Sequence, residues 1–238
     1  MDINNFTAIP FNIQNLDTYY ARQKIMFAID WVKPNFSKRL LDIGCGKMPY
    51  KDYILSSSNV TQYVGLDIYN AIEYQKGVEP DFRWDGKVMP FENESFECSF
   101  ATEVLEHCPN PNIFLEETYR VLKNEGVFFF TVPFLWNLHE TPHDEYRYTP
   151  FSLKRHLINS GFVEIEIYAT GGWHASLAQM LGLWVRRSPM SKNIRMLLSY
   201  ILKPFIKLLI KKDRKLNKDF FEGQMITGLY GKAKKKLK

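Results

Sequence analysis

Short runs of consecutive apolar residues alternate along much of the chain with stretches whose apolar residues recur every three or four positions. The first run, residues 39–43, ends beside Asp42 and opens into Gly44, Cys45 and Gly46. Further runs cover 62–68, 82–84, 97–101 and 127–132, and the last of these is too continuously apolar for a sheet edge. Helical spacing follows Asn110 and Pro111 through Phe114, Leu115, Tyr119 and Leu122, stopping near Gly126. It recurs after Thr149 and Pro150, through Leu153, Leu157 and Ile158, and stops at Gly161. Both helices are predicted to start with a capping side chain followed by proline, whose missing N–H does no harm at the first helical position. Residues 162–168 alternate as a half-exposed strand does, and 225–231 reads as a last strand. Strands alternating with helices predict a parallel α/β sheet, and the lack of a helix in the usual place between the last two strands predicts an antiparallel one.

This pattern divides the chain into four segments. Residues 1–38 form a helical lead-in, with Tyr19, Tyr20, Ile25, Phe27 and Trp31 as packing residues. Residues 39–171 are the core, 172–222 a basic helical insertion, and 223–238 the final strand and a basic tail. Within the insertion, Ile201, Phe205, Leu208 and Leu209 are predicted to share a face, and Pro204 to kink or divide the helix.

Composition narrows the picture. At 238 residues and 45% hydrophobic content the chain can bury one large core, and 24% charged residues exclude global disorder. Cys45, Cys98 and Cys108 form no CxxC pair, which points to a reducing compartment without disulfides. The first residues lack a basic and then apolar leader, and no run suits a membrane span, so a cytoplasmic location is expected. Charge is uneven: from Ser191 onward there are 14 Lys and Arg against 3 Asp and Glu, while the preceding residues carry 17 against 23. The basic end predicts an anionic membrane surface as partner, or else a solvated helix face and loose tail, or a helix that covers the sheet or forms a dimer contact. Basic residues interleaved with aliphatics, with few aromatics to stack on bases, argue against nucleic acid.

The glycine turn and a second acid, Asp67, together predict an adenosine-containing ligand. A nucleotide-binding βαβ unit places its ribose-binding acid about 20 residues past such a turn. Backbone N–H groups around Gly44 to Gly46 are expected to face that ligand.

Several ordered blocks then carry a resemblance. They are Leu41 to Gly46, Gly65 to Asp67, Trp84 to Gly86, Met89 to Phe91, Glu103 to His107, Glu117 to Lys123 and Thr131 to Pro133. In this order they resemble the class I S-adenosylmethionine-dependent methyltransferases, type 11. The resemblance implies a Rossmann-like, doubly wound α/β sheet of about seven mostly parallel strands. The last strand would be antiparallel, with the helical insertion before it. It also implies S-adenosyl-L-methionine as cofactor, near Asp42, Gly44, Cys45, Gly46, Asp67, Asp85, Gly86 and Glu103. Asp67 would meet the ribose, Asp85 the adenine amino group, and Glu106 and His107 would buttress the site. One position departs from the family pattern: Met48 stands where a third glycine is common.

The segment after the fifth strand, 133–149, follows a strand's carboxyl end, where ligands bind in open α/β sheets. His139 and His143 are the expected general bases, and Asp144, Tyr146, Arg147 and Tyr148 the expected acceptor contacts. His139, Glu140 and His143 spell HExxH, but Pro142 would break the helix a zinc protease needs, so no metal is expected. A metal at His139, His143 and Asp144, or a purely structural histidine pair, are the alternatives. The expected function is methyl transfer to an oxygen of a small or lipid-linked, saccharide-type acceptor. The alternatives are a cofactor- or partner-binding module without turnover and, more weakly, a nicotinamide-dependent oxidoreductase, against which Pro49 speaks.

Overall fold

The computed structural model of the protein describes residues 4–69, 79–213 and 219–237. A short helix α1 (Asn4–Thr7) and helix α2 (Tyr19–Val32) precede strand β1 (Ser37–Ile43). There follow α3 (Lys51–Ser57), β2 (Asn59–Ile68), β3 (Phe82–Trp84), β4 (Phe96–Thr102), α4 (Pro111–Val121) and β5 (Leu122–Pro133). Helix α5 (Pro150–Asn159), β6 (Phe162–Thr170), α6 (Trp173–Arg187), α7 (Lys192–Lys212) and β7 (Gly228–Lys235) complete the order.

The seven strands make one sheet in the order β3-β2-β1-β4-β5-β7-β6. Strands β1 to β5 pair in parallel, and β7 lies antiparallel between β5 and β6. Alternation along the strands loads both faces. Leu41, Ile43, Phe128 and Phe130 pack with Phe114, Leu115 and Leu157 of α4 and α5. Leu40 and Phe129 pack with Ile25, Ala28, Ile29 and Val32 of α2 on the other face. Phe128, Phe129 and Phe130 are fully buried, each contributing roughly 1.5–3 kcal/mol of hydrophobic stabilisation. A third cluster joins the α6–α7 hairpin to the lead-in through Leu16, Ala178, Val185, Ile206 and Leu209. Gly182 makes this approach close, since a Cβ there would stand 2.1 Å from the Leu16 carbonyl oxygen.

Four local expectations are corrected. Helix α4 ends at Val121, and the chain turns directly into β5. Asn110 makes no side-chain capping bond at α4, whereas Thr149 accepts one from Ser152 N–H at 3.2 Å. Helix α7 runs undivided through Pro204; the carbonyl that proline leaves unbonded belongs to the exposed Tyr200, where water can serve it. Strand β7 begins and ends later than expected and takes in much of the basic tail. Lys232 and Lys234 pair across the strands with Glu166 and Glu164 of β6 at 3.2 and 2.7 Å. Lys235 donates to the Leu122 carbonyl at 2.7 Å, so these cations belong to the sheet.

Candidate active site

The carboxyl ends of β1, β2, β4 and β5 lie side by side, and the site is built on them. After β1 the backbone turns through Gly44 and Gly46 at φ +69° and +49°, a region that suits glycine. The N–H groups of Gly44 and Cys45 donate to the Leu66 carbonyl at 2.8 and 3.1 Å, and that of Gly46 to Asp67 Oδ2 at 2.9 Å. All three amides of the turn are therefore spent inside the protein, which corrects the expectation that they face a ligand. What the turn offers instead is backbone along a cavity, with the Val104 side chain packed 2.6 Å from where a Cβ of Gly44 would stand.

Asp67 closes β2 with each oxygen held by a backbone amide, Oδ2 by Gly46 and Oδ1 by Ile68 at 2.8 Å. Burial pushes its carboxyl above the usual range. Asp42, beside it on β1, is buried and accepts the Tyr63 hydroxyl; its pKa is raised to about 8 by burial. Asp85 is exposed, and its Oδ1 accepts from Lys87 and Val88 N–H at 2.8 and 3.1 Å, which lowers its pKa. Gly86 has φ +79° and open space where a Cβ would stand.

Met48 adopts φ +52°, the conformation that favours glycine. Its side chain turns away from the site and under β2, where the bare Gly65 receives it: a Cβ at 65 would stand 2.7 Å from the Met48 sulfur. Met48 is not among the cavity-lining residues.

A cavity of about 460 Å³ opens over these strand ends. Its floor holds Asp42, Gly44, Cys45, Gly46, Glu103, Thr131 and Val132. Its roof comes from the lead-in, where Thr18, Ala21, Arg22 and Ile25 share one face of α2 and its start. Gln179 and Arg187 of α6 close one side, and each is tied to Asp17, through its carbonyl at 2.6 Å and its carboxylate at 2.7 Å. Lead-in and insertion thus form one cover. Glu103 bends out of β4 at φ +56° and accepts from the Thr131 hydroxyl at 2.8 Å.

The far wall carries His107, His139 and Glu140. Residues 136–148 contain neither helix nor strand, and an ion pair organises them. Arg147 grips Asp144 with two bonds of 2.6 and 2.8 Å, holding that carboxyl down at about 2. Asp144 in turn accepts from His139 N–H at 3.1 Å and lies 3.3 Å from His139 Nδ1. Burial, and then the neighbouring His107, lower the His139 pKa and keep the ring neutral. His107 Nδ1 lies 2.8 Å from the His143 carbonyl and so donates to it. The rings of His107 and His139 meet edge to face at 4.7 Å.

The structure therefore separates the expected acceptor residues. His139 lines the cavity; the His143 side chain is exposed and outside that lining, contributing its carbonyl to His107. Asp144 and Arg147 serve each other and His139. Tyr148 is buried, its hydroxyl donating to the Leu105 carbonyl at 3.0 Å, and Tyr146 stacks on it. None of these four lines the cavity. Of the expected cofactor residues, Asp42, Gly44, Cys45, Gly46 and Glu103 line it, whereas Asp67, Asp85 and Gly86 are not among its lining residues. Sequence reasoning missed Arg22, Gln179 and Arg187. The spacing of Thr18, Ala21, Arg22 and Ile25 was the available signal: a cation on an otherwise small and apolar helix face.

Residues 41–130 match the family model described as a methyltransferase domain. Over those residues the chain is similar to methyltransferase domains. A phthiotriol/phenolphthiotriol dimycocerosates methyltransferase 1 of Mycobacterium ulcerans is 34% identical over 101 residues, covering 40% of this chain and 37% of that protein. A fatty-acid O-methyltransferase of Mycolicibacterium smegmatis is 26% identical over 107 residues, covering 40% of this chain and 36% of that one. The match thus spans little more than a third of these curated relatives. The fold extends further: a solved S-adenosylmethionine-dependent methyltransferase from Archaeoglobus fulgidus superposes with a TM-score of 0.55 at 17% identity, covering 92% of this chain and 94% of that one.

Proposed function

We propose that the chain is an S-adenosylmethionine-dependent methyltransferase acting on an oxygen of a small or lipid-linked, saccharide-type acceptor. The observation that carries this reading is a cavity joining the glycine turn after β1 to a wall of two imidazoles. The residues fit the cofactor. Gly44 and Gly46 bring backbone to the cavity, Asp67 stands with both oxygens pre-oriented, and Gly86 has open space beside the exposed Asp85 at the end of β3. Asp67 would accept from the ribose hydroxyls, Asp85 would meet the adenine amino group, and Arg22 would bind the methionine carboxylate.

When bound, the cofactor supplies an electrophilic methyl group on a sulfonium. The cover of α2 and α6 excludes water and holds the acceptor oxygen in line, a source of rate in its own right. His139 would take the acceptor's hydroxyl proton; it suits the task because burial lowers its pKa and Asp144, accepting from its backbone N–H, fixes its place in the wall.

The lipid-linked option draws support from the fatty-acid O-methyltransferase relative and from the α6–α7 hairpin. Trp173, Leu177, Met180 and Trp184 form one stripe on α6, 47–68% exposed. Ile194, Leu197, Ile201, Phe205 and Leu208 form another on α7, 46–60% exposed, while Ile206 and Leu209 pack inward. Monomeric proteins rarely leave so much apolar surface uncovered. The lysines of α7 suit an anionic lipid surface, so we read the hairpin as an interfacial anchor at the membrane's cytoplasmic face. Among the described residues no helix is long and apolar enough to cross a membrane.

A second reading, a binding module without turnover, has Met48 as its support; the packing of that side chain against Gly65, outside the cavity lining, weakens it. Incubation with methyl-labelled S-adenosylmethionine and a panel of sugars, nucleotide sugars and lipid-linked saccharides tests the proposal. Label in an acceptor ether supports it; bound cofactor with no transfer to any acceptor class supports the module.

A further inference from the structure

Glu106 is the least explained residue in the molecule. It is fully buried, yet neither carboxylate oxygen has a hydrogen-bond partner, and such a group is costly to bury. Its immediate surroundings do not repair this. Glu103 and Asp144 act on it unfavourably, and Arg147 is the cation that relieves it. What it faces is the wall of the cavity: Glu106 Oε1 lies 3.7 Å from His107 Nε2. Glu140 Oε2 approaches the same nitrogen at 3.7 Å. One ligand atom each from Glu106, His107 and His139 fall within 4.8 Å of one another.

These separations suit a shared ion better than direct bonds. At 3.7 Å neither oxygen is within hydrogen-bond reach of His107. Two ligands about 2.1 Å from one ion at a tetrahedral angle stand roughly 3.4 Å apart, so a small side-chain adjustment suffices. The tautomer is already set. With Nδ1 donating to the His143 carbonyl, the lone pair of neutral His107 is on Nε2 and points toward the carboxylates. Metal-binding histidines are commonly held this way, the second nitrogen bonded to a backbone carbonyl. His139 is anchored through its backbone, whose N–H donates to Asp144 at 3.1 Å, while Asp144 lies 3.3 Å from Nδ1 without bonding it.

We infer that Glu106, His107 and His139 hold a divalent cation at the wall of the cavity, with Glu140 within reach as a further ligand. Two imidazoles and carboxylates select a first-row divalent ion such as Mn²⁺, Co²⁺ or Zn²⁺. The inference reverses the sequence-based expectation of no metal, and it differs from the alternative at His139, His143 and Asp144. His143 supplies only its carbonyl, and Asp144 is taken by Arg147. The presence of the ion does not depend on the proposed function. Its use does: a cation here would bind the acceptor oxygen and ease its deprotonation, turning His139 from base into ligand.

The test is titration of the untagged, chelator-stripped chain with Mn²⁺ by calorimetry and with Co²⁺ by visible d–d absorption. Saturable binding of a single equivalent is expected, weakened by about 10–100-fold or more in Glu106→Gln and in His107→Gln. S-adenosylhomocysteine binding by each variant shows that it is folded, and Glu106→Asp, which keeps a carboxylate, should retain part of the affinity. Wild-type chain that binds S-adenosylhomocysteine but neither ion overturns the inference and leaves the proposed function standing, as does ion binding indifferent to Glu106→Gln. Ion binding without S-adenosylhomocysteine binding does the reverse.

Discussion

His139 and His143 stand four residues apart and have different surroundings. One lines the cavity beside His107 and Asp144, and the other exposes its ring and lends only its carbonyl. His139→Ala should therefore lower kcat by about 10²–10⁴-fold, as loss of a general base or of an ion ligand would, with little change in S-adenosylhomocysteine affinity. His143→Ala keeps the carbonyl and should leave kcat within about threefold, well under the effect of losing a base. Steady-state kinetics of the two variants side by side decide this, and equal losses would return His143 to the site. The sequence marked both histidines because residue type and loop position were all it offered. Which ring faces the cavity depends on the Arg147–Asp144 clamp, a contact between side chains that residue patterns do not encode. The same clamp explains why Arg147 and Asp144, chosen as acceptor contacts, are occupied with each other. The placing of Asp42, Gly44 and Gly46 at the cavity was easier to read, because an apolar strand running into a glycine turn leaves the backbone few options.

Among the elements, β1, β4 and β5 were the most legible strands because their apolar runs are buried on both faces. Strand ends were less so, and β7 shows the reason: Lys232 and Lys234 look like a solvated tail until Glu166 and Glu164 of β6 are placed beside them. The turn after β1 shows a similar dependence on a neighbour. Met48 alone suggests an obstructed site, but with Gly65 opposite it becomes a packing pair. Gly65→Ala should cost roughly 1–3 kcal/mol of stability through overpacking, and Met48→Ala should relieve most of that cost in the double variant. Additive losses in a denaturation cycle would show that the two side chains do not compete for one space. The α6–α7 hairpin has a prediction of its own. Leu197→Glu with Ile201→Glu should reduce co-sedimentation with phosphatidylglycerol vesicles several-fold and leave the melting temperature nearly unchanged, since both residues are exposed. Unchanged sedimentation, or wild-type binding to neutral vesicles equally well, would contradict the anchor.

Across the whole molecule, acids gather at the strand ends and burial pushes several of them upward. Asp42 is raised from 3.8 to about 8, and Glu106 is held well above the ordinary range. Between those limits the folded chain keeps protons that the unfolded chain has released. Unfolding free energy should therefore fall as pH rises from about 4 toward 8, by up to about 1.4 kcal/mol per pH unit for each such group. Measured without ligand and in chelator, the slope should be shallower in Asp42→Asn and Glu106→Gln; a wild-type profile that rises over this range would contradict the burial argument. The site thus stores unfavourable burial where ligands are to bind, a common trade at functional centres.

The central claim is that the glycine turn and Asp67 form a cofactor site. Titration calorimetry with S-adenosylhomocysteine tests it most directly, with Asp67→Ala as the comparison. Micromolar binding to the wild-type chain is expected, weakened at least about tenfold in the variant by loss of the hydrogen bonds to the ribose. Folded wild-type protein that takes up no S-adenosylhomocysteine, or binds it as well without the Asp67 carboxylate, would contradict the account.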